Sequence, residues 1–217
     1  MEQKKPVVII GSGGHAKCVI DILEQLGTYE IVGVTTKYAQ LGSSFFNYQV
    51  LGTDDLLPSL LEKGINYAAI GVGGFTNNRL RKKIYERMKS IGFKLVTAVH
   101  PSAAIGPHVK IGEGSVIFSG VVVNPDVTIG NDVVIATNSS IDHETEIQDH
   151  VLISAGVTVG GNDIIEEGAL LAIGSVIVSG KRVGKYSLVA AGAVVVKDVA
   201  AETAVAGIPA TLLVLKR

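Results

Sequence analysis

The chain has 217 residues, a formal net charge of −1, 47% hydrophobic and 5% aromatic residues, 26 glycines and no tryptophan. That length allows two modest domains, and a near-neutral net charge argues against a nucleic-acid-binding surface. The lone cysteine, Cys18, excludes an intrachain disulfide and fits a reducing cytoplasm, and no apolar run is long enough for a cleavable leader or a membrane span.

In chain order, residues 5–10 predict a buried strand, Gly11-Ser12-Gly13-Gly14 a tight turn, and residues 15–26 an amphipathic helix stopped by Gly27. Cys18 reads as part of that helix's core. Residues 30–35 predict a second strand. Residues 39–48 show no period and read as a loop. Asp54 and Asp55 open a helix to residue 63, with Gly64 as its stop. Residues 67–72 form a third strand, 77–91 a helix and 94–99 a fourth strand. This alternation predicts a small parallel sheet of Rossmann-like type over residues 1–99.

His100-Pro101 marks a junction, because proline lacks a donor and holds the preceding residue extended. Beyond it the pattern changes. Every sixth residue from Ile105 to Val195 is isoleucine, valine or leucine without a break. Neither a helix nor an ordinary strand demands that period, whereas a solenoid with three short strands per coil does. Three hexads make one triangular coil, so residues 105–200 give about five. Ser115, Ser139, Ser175 and Ser187 stand four places after the aliphatic residue and would fill the corners. Solenoid ends need caps. Val99 already fits the register, so the sheet domain can cap the first coil, and residues 200–217 leave the register as a folded-back tail. The expected domains are therefore 1–99 and 100–217.

Several residues carry chemistry. The loop from Gly11 to Ala16 follows a strand and opens a helix, where free N–H groups and the helix dipole favour phosphate. Its glycines fit a dinucleotide, a nucleoside diphosphate or a plain turn. The dinucleotide reading expects an acid at the end of the second strand, but Thr35-Thr36-Lys37 stands there; Lys37 could pair with phosphate or be solvated. Gly71-Val72-Gly73-Gly74 ends the third strand at the same sheet edge, near Arg79, which reads equally as a solvated helix residue. The hexad from Ile141 to Glu146 places His143 between Asp142 and Glu144. A carboxylate beside an imidazole fixes its tautomer and fits it to take a proton, although a surface histidine in an acidic turn has the same look. His100, His108, His143 and His150 lack the tight pairing of a zinc site, so no metal is expected.

The two halves together resemble the sugar O-/N-acyltransferase family of left-handed β-helix, hexapeptide-repeat enzymes, the group of sialic acid O-acetyltransferases and nucleotide-amino-sugar N-acetyltransferases. The resemblance rests on the opening segment from Val7 to Ala16, the junction Val99-His100-Pro101-Ser102-Ala103, and the Asp142-His143-Glu144 hexad. It extends to Val159-Gly160-Gly161-Asn162 and the closing Gly207-Ile208-Pro209-Ala210. It implies an α/β domain followed by an all-β left-handed parallel β-helix, assembled as a homotrimer with acetyl-CoA between neighbouring subunits and a nucleotide-sugar against the N-terminal domain. By the same resemblance His143 is the general base and Glu144 its acidic partner, while the Gly161 amide meets the thioester carbonyl. The resemblance also gives Gly13, Gly14 and His15 to the nucleotide phosphates, and the two glycine loops with the end of the second strand add Gly11, Lys37, Gly71 and Gly73 to the expected nucleotide-sugar site. The family's second histidine, nine residues after the base, is Leu152 here, and His150 is the nearest substitute for its contact with acetyl-CoA. The implied activity is transfer of acetyl to the 4-amino group of a nucleotide-linked amino-deoxy sugar in surface glycan synthesis. The alternatives are sialic acid O-acetylation and a non-catalytic nucleotide-sugar sensor or scaffold.

Overall fold

The computed structural model describes residues 3–37, 42–74 and 78–213. The N-terminal sheet begins with β1 (Lys5–Ile10) and β2 (Tyr29–Thr35), joined by helix α1 (Gly14–Leu26). The hairpin β3 (Ser44–Phe45) and β4 (Tyr48–Gly52) follows. Then come a short 3-10 turn (Asp54–Leu56), α2 (Leu57–Glu62), β5 (Tyr67–Ile70), α3 (Arg79–Ile91) and β6 (Lys94–Leu95). The strand order is β3-β4-β2-β1-β5-β6, with every pairing parallel except β3–β4. Successive β1 residues point to opposite faces and both faces are covered, hence the unbroken apolar run. Val7 and Ile9 pack with Val19, Ile20 and Leu23 of α1, whereas Val8 and Ile10 pack with Met88 and Phe93 at α3.

Four expectations change. The segment expected as a loop contains the β3–β4 hairpin, turned at Phe46 and Asn47 with φ of 48° and 69°; residues 39–41 lie outside the described residues. The helix expected over 54–63 starts as a 3-10 turn. Residues 94–99 split, because Ala98–Val99 leaves the N-terminal sheet and pairs with Val116–Ile117. The solenoid ladder thus begins on the N-terminal side of the expected boundary. Cys18 is exposed, since the buried face of α1 is Ala16, Val19, Ile20, Ile22 and Leu23 and position 18 falls off that stripe.

The second half is a parallel β-helix with three flat faces. The first face stacks Ala98–Val99, Val116–Ile117, Val134–Ile135, Leu152–Ile153, Leu170–Leu171 and Leu188–Val189. The second runs from Ala104–Ile105 through Ser140–Ile141 to Val194–Val195, and the third from Lys110–Ile111 through Glu146–Ile147 to Arg182–Val183. Neighbours in a face are 18 residues apart, as in Val134 over Val116. From Ile117 to Val195 every six-residue register position is at most 2% exposed. Only Ile105 and Ile111, at the open end, are less buried. The corner serines also serve the ladder: Ser115 Oγ donates to Gly130 O at 2.8 Å and accepts from Val133 N at 2.9 Å. At the far end Ala204–Ala206 pairs with Leu188–Val189, and Thr211–Leu212 folds back on it as a cap.

The corners between residues 108 and 192 each turn through one left-handed residue. Each sixth position from His108 to Gly192 has positive φ. Glycine, asparagine and aspartate fill most of these places, as that conformation prefers. His108, Glu144, His150 and Tyr186 are the exceptions.

Candidate active site

Residues 126, 144, 162 and 180 stack along the edge between the second and third faces, and the acidic hexad lies there. Glu144 adopts φ of 58°, a conformation that costs a side-chain-bearing residue about 1–2 kcal/mol. The turn brings its carboxylate back to its neighbour: His143 Nδ1 lies 3.1 Å from Glu144 Oε2, and both side chains are more than half exposed. With the Nδ1 proton directed at the carboxylate, Nε2 is the basic nitrogen. Asp142 does not touch the ring. Its Oδ1 accepts from Asn124 Nδ2 and from the His143 backbone N–H, each at 2.8 Å, and those bonds hold its carboxyl below the usual range. Gly161, one coil on, is where the imidazole rests, since a Cβ there would lie 2.8 Å from Cε1 and Nε2 of His143. The Gly161 N–H donates to Ser179 Oγ at 3.2 Å. Ser179 was not singled out from the sequence.

His150 is not brought to this edge. It sits at the next corner, between the third and first faces, with only 8% of its side chain exposed. Its Nδ1 donates to Asp132 Oδ2 at 2.9 Å, and its ring meets Tyr85 edge-on, with centroids 5.3 Å apart. Asp132 Oδ1 in turn pairs with Arg81 Nε at 2.8 Å, and both side chains are essentially inaccessible. Arg81 also donates to Ile70 O, Val72 O and Gly114 O, so it ties the end of β5 to the solenoid. Leu152, in the place of the family's second histidine, is buried against Val134 and Leu170. The structure therefore gives His150 to the domain interface, and the acetyl-CoA contact expected of it has no geometric support. The 18-residue spacing of Asp132 and His150 carried that signal, because it stacks them in one corner.

The glycine loops do converge beyond the carboxyl ends of β1 and β5, but their glycines differ in role. A Cβ on Gly11 would lie 2.6 Å from Val72 Cγ2, and one on Gly71 would lie 2.7 Å from the Ala16 Cβ. These two let strand ends and helix pack closely. Gly73 is intermediate, at 3.3 Å from His15. Gly13 and Gly14 have nothing within 4 Å of a built Cβ, so their open backbone at the start of α1 is the part that can meet a phosphate. His15 Nε2 accepts from Arg81 Nη1 at 3.2 Å. Burial, with Arg81 adding, pulls its pKa down to about 3, so His15 is neutral and offers Nδ1–H rather than a charge. Lys37 lines a cavity of about 540 Å³ that opens beside this loop. Asp54, Lys83 and Arg87, none of them anticipated, line it too. Arg79 lies away from it, over the Tyr186 ring at 4.9 Å. Among the described residues no three His, Cys, Asp or Glu side chains converge as metal ligands, and no helix is long and apolar enough to cross a membrane.

A left-handed β-helix with an exposed His–Glu pair on one edge, joined to a small α/β domain with a glycine loop after its first strand, defines a two-domain hexapeptide-repeat transferase. Residues 6–88 match the PglD N-terminal domain, and residues 108–143 and 126–161 match the bacterial transferase hexapeptide model of six repeats. A histidine-to-alanine mutant of GDP-perosamine N-acetyltransferase from Caulobacter crescentus, in complex with CoA and GDP-perosamine, is 33% identical, with 96% of each chain covered and a TM-score of 0.90. The acetyltransferase domain of PglB from Neisseria gonorrhoeae, in complex with acetyl coenzyme A, is 32% identical over 97% of this chain and 100% of that one, with a TM-score of 0.89. UDP-N-acetylbacillosamine N-acetyltransferase from Bacillus subtilis is 28% identical over 121 residues, 53% of this chain and 52% of that protein; the match spans about half of that relative's length. The chain belongs to the sugar acyltransferase family that joins a PglD-type N-terminal domain to a left-handed hexapeptide-repeat β-helix.

Proposed function

We propose that this chain transfers acetyl from acetyl-CoA to the 4-amino group of a nucleotide-linked amino-deoxy sugar, as a cytoplasmic homotrimer serving surface polysaccharide or glycan synthesis. The observation that carries the reading is the His143 ring, held by Glu144 at Nδ1 and resting on Gly161. Acetyl-CoA supplies an activated thioester carbonyl. His143 Nε2 takes the proton that the amine loses as its nitrogen bonds to that carbonyl carbon. Glu144 holds the tautomer and stabilises the imidazolium so formed. The Gly161 N–H, on exchanging Ser179 Oγ for the carbonyl oxygen, meets the negative charge that develops there. His143 then has a proton to return to the departing thiolate. The amine must arrive neutral, so a positioned base with an adjacent carboxylate suits this acceptor.

The neighbours with CoA, acetyl coenzyme A and GDP-perosamine in their complexes support both substrates. Release of free thiol from acetyl-CoA should be followed with a panel of nucleotide-sugars bearing free amines, with sialic acid included. Turnover with an aminated nucleotide-sugar is expected, and His143→Ala should lower kcat by ~10²–10⁴ with both substrates still bound. Turnover on sialic acid alone would replace the reading with O-acetylation. Binding without thiol release would make the protein a sensor.

A further inference from the structure

In nucleotide-binding α/β sheets an acid near the end of the second strand takes the ribose hydroxyl. In this chain β2 ends in Thr35-Thr36-Lys37, with no acid. The strand order puts β4 directly beside β2, and the turn leaving β4 carries Asp54. Thr35, fully buried, donates its hydroxyl to Asp54 Oδ1 at 2.6 Å. The residue standing where an acid is expected therefore holds a carboxylate in place from the neighbouring strand. Ser12 Oγ donates to Thr36 Oγ1 at 2.8 Å, which ties the glycine loop to the same strand end. Beside these groups lies the cavity of about 540 Å³, whose apolar walls include Ile10, Val72 and Ile84 and whose lining also includes Lys83. Aliphatic walls suit a base, the glycine loop suits the diphosphate, and a carboxylate between them suits a sugar hydroxyl. Asp55 is a poorer candidate: its side chain is 89% exposed and turned to Arg87 at 3.6 Å.

We infer that Asp54, oriented by Thr35, accepts the ribose 2′-hydroxyl of the bound nucleoside diphosphate and makes the site select ribonucleotides over 2′-deoxyribonucleotides. The inference deepens the nucleotide-sugar reading and rests on it. One Asp54 oxygen is engaged by Thr35, which leaves the other for the ligand. A site built to bond a hydroxyl loses its partner when the analogue lacks it.

Calorimetry on the full chain with UDP and GDP, each against its 2′-deoxy form, tests this without requiring turnover. The wild type should bind the ribo forms about tenfold or more tightly, the worth of a hydrogen bond to a charged group. Asp54→Ala should bring the ratio near one by weakening the ribo forms only. Asp54→Asn keeps an oxygen for Thr35 and so guards against a folding defect; it should also shrink the ratio, at unchanged melting temperature. Asp55→Asn should leave the ratio alone. Absence of ribo preference in the wild type, or a ratio unmoved by both Asp54 variants, overturns the inference while the nucleotide reading stands. A ratio that moves with Asp55 instead overturns it equally. If no nucleoside diphosphate binds the wild type, the nucleotide-sugar reading itself falls, and this assignment with it.

Discussion

Glycines that look alike in sequence are separated by what surrounds them. Gly71 sits against Ala16 and Ile9, so Gly71→Ala overpacks the junction of β5 and α1 and should destabilise the fold by about 1–3 kcal/mol in denaturant titration. Gly13 has open space and a φ of −97°. Gly13→Val should therefore leave the melting temperature nearly unchanged while weakening the nucleotide-sugar, with affinity for acetyl-CoA intact. Equal loss of both ligands would make the loop structural. Asp163 sits fully buried beneath the Gly160–Gly161 turn, and Lys181 N donates to its Oδ1 at 2.6 Å. Burial, countered in part by the amides of Lys181, Gly160 and Gly180, raises its pKa from 3.8 to about 6. An acid raised in the folded state is most compatible with folding when protonated, so its contribution falls as pH climbs from about 4 to about 6 and is level above. Asp163→Asn lacks that titration. The melting-temperature difference, variant minus wild type, should rise across that interval and then flatten; a falling difference would mean the amides hold the carboxylate ionised. At this scale the contact between His143 and Glu144 was legible because their hexad departs from its neighbours. Asp54 was not, because its role depends on which strand lies beside β2.

Regular elements announce themselves by period, and the solenoid's strict six makes its strands the most legible part of the chain. The β3–β4 hairpin was hidden because one strand is two residues long and its Phe46-Asn47 turn lacks the glycine that marks such turns. The strand expected over 94–99 was hidden differently: its apolar residues serve two sheets, and no local pattern marks the transfer of Ala98–Val99 to the solenoid. Polar contacts join the two halves alongside the apolar packing of Val116 and Phe118 on α1. Besides Arg81, Lys82 of α3 reaches Glu167 Oε1 at 2.7 Å, and Lys185 and the Tyr186 hydroxyl meet the same carboxylate, each also at 2.7 Å. Lys185 and Lys82 together pull Glu167 down to about 2. Removing Arg81 strands Asp132 and His150 in a closed interface, so Arg81→Ala should cost about 3–5 kcal/mol. Asp132→Ala should cost a similar amount. The double variant should cost clearly less than the sum, because each single change leaves the other charge buried without its partner. Additive losses in a urea double-mutant cycle would show that the pair does not couple the domains.

At the scale of the whole molecule the two halves of the candidate site face apart. The N-terminal domain lies on the first face, where Val116 and Phe118 join its α1 core and His15 meets the Phe118 ring. His143 stands on the edge between the other two faces, opposite that domain. An acceptor held by the glycine loop of one chain therefore fits best with a base from another. The second face borders the His143 edge and exposes Val122, Val178 and Val196, 42%, 36% and 41% accessible, whereas the outward strand residues of the third face include Lys110, Glu146 and Arg182. Apolar exposure on one face calls for a symmetric partner, and burying that face would bring a neighbouring chain alongside His143. Sedimentation should give three times the mass of one chain. The stronger test is complementation between His143→Ala chains, which keep the acceptor loop, and Gly13→Val chains, which keep the base. Each variant alone should be nearly inactive. Co-refolded at equal amounts, they should regain about a quarter of the wild-type rate per chain, the fraction of random neighbouring pairs with both halves intact in a cyclic assembly. A monomeric mass would remove the assembly. A trimer that regains no activity on mixing would place the acceptor and His143 within a single chain.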